Sequence, residues 1–159
     1  MSQNRHQKRK LPFQEGTWFA VPLRPTGYAI GRVARHTPKG EIIVAYIFGP
    51  RRQHVPSLDE ISDLSPSDAA RVMQVGGVGL LDGGWAVIGN SSHWVRERWP
   101  IPHFIRRELL REVAWRVIYA DDNPNKVVAE ERIPYDTVGL EPDSLSGHIA
   151  AETELSDIL

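Results

Sequence analysis

Apolar positions along the chain fall in short runs rich in β-branched and aromatic residues, punctuated by turn residues. TWFAVPL (17–23), YAIGRVAR (28–35) and EIIVAYIF (41–48) read as three strands of a meander. Pro25-Thr26-Gly27 and Thr37-Pro38-Lys39-Gly40 supply the connections, the second placing Pro and Gly where a type I turn favours them. Pro22 has no amide hydrogen to give to a ladder, so the first strand is expected to be an edge there. The third strand is apolar at both alternating sets of positions, Ile42, Val44, Tyr46 and Phe48 against Ile43, Ala45 and Ile47. That predicts a central strand covered on both sides.

Helix-start signals come next. Ser57-Leu58-Asp59-Glu60 has capping-box spacing, and Ser65-Pro66-Ser67-Asp68 offers an N-cap serine, Pro at the first helical position and an acid in the first turn. These predict a helical turn over 58–63 and a helix over 66–75, ended by Gly76-Gly77-Val78-Gly79. A fourth strand is expected at 85–88 (WAVI), then a loop rich in Trp and Pro over 90–104. Residues 105–120 fit two periods: Phe104, Leu109, Val113 and Val117 make a helical stripe, while VAWRVIYA alternates. The reading adopted is helix to Leu110, then strand, pairing with 127–133 across Asp121-Asp122-Asn123-Pro124-Asn125; residues 145–159 read as helix. The pattern predicts an α+β, mostly β chain: a twisted, mainly antiparallel sheet or partly open barrel with two or three short helices packed on it. One core is expected, with Phe19 or Trp18, Ile30, Val44, Tyr46, Trp85, Val87 and Val117 contributing.

Length and composition narrow this further. At 159 residues the chain has the size of one domain, expected over 11–159 behind a flexible basic lead-in at 1–10. With no cysteine, disulfides, thiolate nucleophiles and Cys-containing metal sites are excluded. No apolar run reaches the roughly 18–20 residues that span a bilayer, and the first residues lack the apolar centre of a signal peptide, so a cytoplasmic protein without a membrane partner is expected. The net charge of −1 hides a sorting: residues 1–119 carry 17 Lys/Arg against 10 Asp/Glu, a net +7, and residues 120–159 carry 2 against 10, a net −8.

Candidate chemistry is thin. His6, His36, His54, His93, His103 and His148 show neither HxH nor HExxH spacing, so no metal is expected and no cofactor. No GxSxG elbow, GxGxxG or GxxxxGK[ST] occurs, and Asp121-Asp122 reads as turn chemistry before it reads as a catalytic pair; no catalytic residue is assigned. Two features stand out. One is the stretch 93–104, with Trp94, Trp99 and Phe104, either an interaction surface or a plug folded back on an open sheet. The other is the acidic segment 120–159, able to steer a basic partner.

The run EGTWFAVPL at 15–23 followed by GYAIGRV at 27–33, then VPSLDE (55–60), GWAVIGN (84–90) and PHF (102–104), in that order and spacing, resembles the bacterial immunity proteins catalogued as immunity protein 26, over about residues 13–120. The resemblance implies a mostly β, non-enzymatic protein that binds and neutralises a cognate polymorphic toxin inside the producing bacterium. Combined with the charge sorting, it makes the expected partner a toxin with a basic face such as a nuclease, met by Asp121, Asp122, Glu130, Glu131 and Asp136, with Trp94 and Trp99 as candidate anchors. The rivals are a small nucleic-acid-binding β-barrel using Arg5, Lys8, Arg9 and Lys10 with the Trp94/Trp99 loop, and an enzyme built on an unfamiliar pocket.

Overall fold

The computed structural model describes residues 10–159; His6 and the proposed basic contacts Arg5, Lys8 and Arg9 lie outside them, as does nearly all of the expected lead-in. The fold is mostly β, with two sheets and no closed barrel. The first sheet holds β1 (Thr17–Pro22), β2 (Tyr28–His36), β3 (Ile42–Arg52), β4 (Arg71–Gly76) and β5 (Ala86–Asn90) in the order β4-β3-β2-β1-β5, every pair antiparallel. The second holds β6 (Phe104–Glu108), β7 (Val113–Ala120), β8 (Asn123–Ile133) and the short β9 (Glu141–Pro142), ordered β8-β7-β6-β9, with only β6 and β9 parallel. Helices α1 (Leu58–Ile61), α2 (Val78–Leu81) and α3 (His148–Ile158) complete it.

The central position expected for β3 is what its doubly apolar pattern delivers. Ile43, Ala45 and Ile47 enter one buried cluster, with Phe19, Val33, Val75 and Trp85, under Leu80 of α2 and Ala151 and Leu155 of α3. Val44, Tyr46 and Phe48 enter another, with Trp18, Ile30, Ile61 of α1 and Trp99. The expectation of one core is therefore corrected: a sheet buried on both faces divides its apolar residues between two clusters. Val117 is buried in neither, in the second sheet opposite Phe104. Val87 is 42% exposed because β5 is the sheet edge. Trp85 precedes β5 instead of opening it, and its buried ring stacks on Phe19 at 5.6 Å.

Three further readings change. β1 lies inside the sheet; Pro22 is accommodated because the β5 pairing stops at Ala20, leaving the nitrogen of Pro22 at a local edge. The expected helix over 66–75 is one 3-10 turn, Pro66–Asp68, followed by β4. The capping signal is real, since the Ser65 amide donates to Asp68 Oδ2 at 2.8 Å, but it closes one turn only. The β-branched residues beyond it then pair with the open side of β3 and bury Met73 and Val75, so Gly76 and Gly77 end a strand, not a helix. Residues 104–108 form β6 where a helix to Leu110 was expected: Phe104 and Val117 are cross-strand partners, and Leu109 and Leu110 sit exposed at the hairpin tip. Both periods fitted the sequence, and pairing with β7 decides between them.

Candidate functional site

The acidic segment does not form one patch. Asp121 and Asp122 occupy the β7–β8 turn, while Asp136 follows the far end of β8, an 11-residue strand. Glu130 and Glu131 are neighbours on that strand and so point to opposite faces, each with its own cross-strand arginine: Glu130 with Arg106 at 2.9 Å, Glu131 with Arg116 at 3.3 Å. Asp122 and Asp136 are exposed.

Asp121, itself exposed, closes a latch around the buried Arg35. A register irregularity in β2 between Val33 and Arg35 sets Arg35 opposite Val44, on the face that carries Trp99. Arg35, 1% exposed, donates to the backbone carbonyls of Ala34 (2.7 Å), Trp99 (3.0 Å) and Asp121 (2.9 Å) and to Asp121 Oδ1 (2.9 Å). Arg96 grips the same aspartate through both its carboxylate and its carbonyl, and reaches Glu15 at 2.9 Å. Partial desolvation raises the Asp121 carboxyl, but the hydrogen bonds and charges of Arg35 and Arg96 outweigh it and hold the group below its ordinary value. The latch ties β2, the 93–104 loop and the β7–β8 turn together.

That loop folds back on the first sheet. Trp99 is buried among Trp18, Tyr46 and Phe48, with ring centroids 5.0–6.2 Å apart, and therefore offers no surface to a partner in this conformation. Tyr46 donates its hydroxyl to Pro100 O at 2.6 Å; desolvation raises its pKa, outweighing the opposing charge of Arg35. Trp94 is half-buried and packs over Gly16, where a Cβ would meet its ring at 2.9 Å and φ is +89°.

Between these aromatics lies a residue that the strand pattern had hidden. Arg32, on β2 and 4% exposed, stacks its guanidinium on Trp18, Trp94 and Trp99 at 4.5–4.7 Å, a cation enclosed by three rings. Nε donates to Gly16 O at 3.0 Å and Nη2 to Ser91 Oγ at 2.9 Å; no carboxylate lies against it among the described residues, and burial pushes its pKa down to about 10. It forms the floor of a groove of about 170 Å³ between the 62–65 segment and the 93–99 loop, also lined by Ser62, Asp63, His93 and Arg98. The available signal was two arginines, Arg32 and Arg35, inside the otherwise apolar YAIGRVAR strand.

Among the described residues no three His, Asp or Glu side chains converge as a metal-binding group, and no helix is long and apolar enough to cross a membrane. Residues 14–119, two thirds of the chain, match the family described as Immunity protein 26. The chain belongs to the immunity protein 26 family. The matched region spans the whole first sheet, β6 and all of β7 but its last residue, and ends before the acidic segment; no curated protein and no solved structure matches.

Proposed function

We propose that this immunity protein acts by stoichiometric binding of a cognate toxin inside the bacterium that makes both, without turnover. The observation that carries the reading is the family match over residues 14–119, which includes Arg32 and Arg35 on β2 and the aromatic loop. Residues 11–159 act as one folding unit in this reading, because α3, outside the matched region, supplies Ala151 and Leu155 to the core. The proposed partner is a toxin with a basic face, such as a nuclease. It is attracted by the exposed carboxylates Asp122, Glu130, Glu131 and Asp136 and contacted by Trp94, while Asp121 fastens the β7–β8 turn to Arg35 and Arg96 and Trp99 supports the aromatic loop from within.

The test is co-expression with each candidate toxin encoded in the genes adjoining this one, followed by binding of the purified pair. The expected result is survival of the co-expressing cells and a 1:1 complex. Absence of both protection and binding would overturn the proposal.

A further inference from the structure

We infer that the groove floored by Arg32 is a receptor for one carboxylate group, and that its occupant is an acidic side chain of the partner toxin. The second half rests on the function proposed above; the first stands on the geometry. Arg32 is nine-tenths buried and has given Nε to Gly16 O and one Nη2 hydrogen to Ser91 Oγ, which fixes the plane of the guanidinium. Nη1 has no hydrogen-bond partner among the described residues. The enclosed side-chain nitrogens without a partner there are Trp18 Nε1 and Arg116 Nε, so Nη1 is not sealed in, and Arg32 lines the groove.

A guanidinium held this way presents an edge of N–H donors to a planar, two-oxygen acceptor, and the surrounding rings lower the dielectric in which that contact forms. Structural roles for Arg32 account for Nε, Nη2 and the three tryptophans but leave the open edge unused. Size and charge select the ligand. About 170 Å³ accommodates a carboxymethyl or carboxyethyl group, and the walls set two guanidinium groups, Arg32 and Arg98, against one carboxylate, Asp63, a balance suited to a monoanion and not to a phosphate dianion. Arg32 lies about as deep as Trp99, so the occupant must reach inward on a side chain, as an interface anchor does.

The test uses the full chain, labelled so that the Arg32 Nε–H signal and the tryptophan indoles are observed. The titrants are a blocked glutamate (N-acetyl-glutamate N-methylamide), the blocked glutamine and methylphosphonate. Saturable movement of Arg32 Nε–H by the glutamate compound is expected, with half-saturation in the range of about 1–100 mM for a ligand of this size. The glutamine compound should produce none. Ser62→Trp, at the exposed rim, leaves Arg32 itself unchanged and adds a side chain large enough to obstruct the groove; it should abolish the response while the melting temperature and the remaining indole signals stay as in wild type. No saturable response to the glutamate compound, an equal response to glutamine, or one undiminished in Ser62→Trp overturns the receptor; stronger binding of methylphosphonate overturns the carboxylate assignment. The toxin arm identifies the source. Ser62→Trp should weaken toxin binding tenfold or more, on the order of one lost charge-assisted contact. If wild type and Ser62→Trp bind the toxin equally, the occupant is a free carboxylate and the toxin assignment falls. If wild type does not bind the toxin at all, the proposed function fails and the small-molecule titration alone judges the groove.

Discussion

Replacing Arg35 by methionine keeps the length and apolar stem of the side chain and removes the guanidinium that closes the latch. Two of the acceptors it serves, the carbonyls of Ala34 and Trp99, are buried, and neither has another side-chain donor to turn to. A buried carbonyl left unsatisfied costs about 1–3 kcal/mol, so these two set a range of about 2–6 kcal/mol. The contacts to Asp121 add little, because that side chain is 64% exposed and keeps Arg96. Removing a buried cation also relieves its desolvation cost, which pulls the net toward about 2–4 kcal/mol. With a urea slope of about 2 kcal/mol/M, the denaturation midpoint of Arg35→Met should fall by about 1–2 M at unchanged slope. Asp121→Asn should cost no more than about 1 kcal/mol. A midpoint for Arg35→Met within error of wild type, or an Asp121→Asn loss as large as that of Arg35→Met, would show that the buried carbonyls do not depend on the guanidinium and would refute the latch.

The remaining predictions concern the other face of the sheet and the tyrosines. Trp85→Ala, which removes a buried ring stacked on Phe19 and hydrogen-bonded through Nε1 to Glu152 at 3.1 Å, should cost about 3–5 kcal/mol. Trp85→Phe should cost less, about 1–3 kcal/mol, chiefly for the buried Glu152 carboxylate left short of a donor; equal midpoints for the two variants would contradict this. The Tyr119 hydroxyl donates to Asp143 at 2.5 Å, and burial, then that carboxylate, raise its pKa; burial raises Tyr46 likewise. A raised folded pKa gives stability that is complete below the unfolded value of about 10 and lost as pH climbs through the folded values. Wild type should therefore lose stability steeply above about pH 10, and Tyr46→Phe/Tyr119→Phe, less stable at neutral pH, should lose it with a shallower slope; identical slopes would sink the assignment.

The strands of the first sheet were legible because their two-residue periods coincide with burial: β3 is apolar at every position from Ile42 to Phe48, and both faces of that stretch are covered. β4 and β6 were not. In each the local signal, a satisfied capping box before Arg71 and a helical stripe around Leu109, competes with a long-range pairing that the sequence does not display. The candidate anchors split for a related reason: Trp94 and Trp99 look alike in a Pro-rich loop, yet one rests on Gly16 and the other fills the core. Arg32 and Arg35 escaped notice because a charged residue in a strand reads as its solvent side, whereas here three indoles and a set of carbonyls replace the water.

The segregation of charge along the chain largely cancels in space. Six of the ten acidic residues beyond Tyr119, namely Asp121, Glu130, Glu131, Glu141, Glu152 and Glu154, lie against arginines from before residue 120, so the acidic segment is spent in part on fastening itself to the body. At physiological salt, fields fade over about 8 Å, and a paired carboxylate projects little beyond its arginine. Reversing Glu130 or Glu131 would therefore mix a lost ion pair with any docking effect, whereas Asp122 and Asp136, exposed at the two ends of β8, report docking alone. If the toxin approaches this edge, Asp122→Lys/Asp136→Lys should slow association about three- to tenfold at low salt, a difference that shrinks as salt is added, with little change in dissociation. Because the sites lie roughly 30 Å apart along an extended strand, only a partner spanning β8 feels both, so the single variants separate the two ends. A double variant that associates at the wild-type rate across the salt series would move the docking surface away from β8, to the face of the sheet that carries Trp94 and the Arg32 groove.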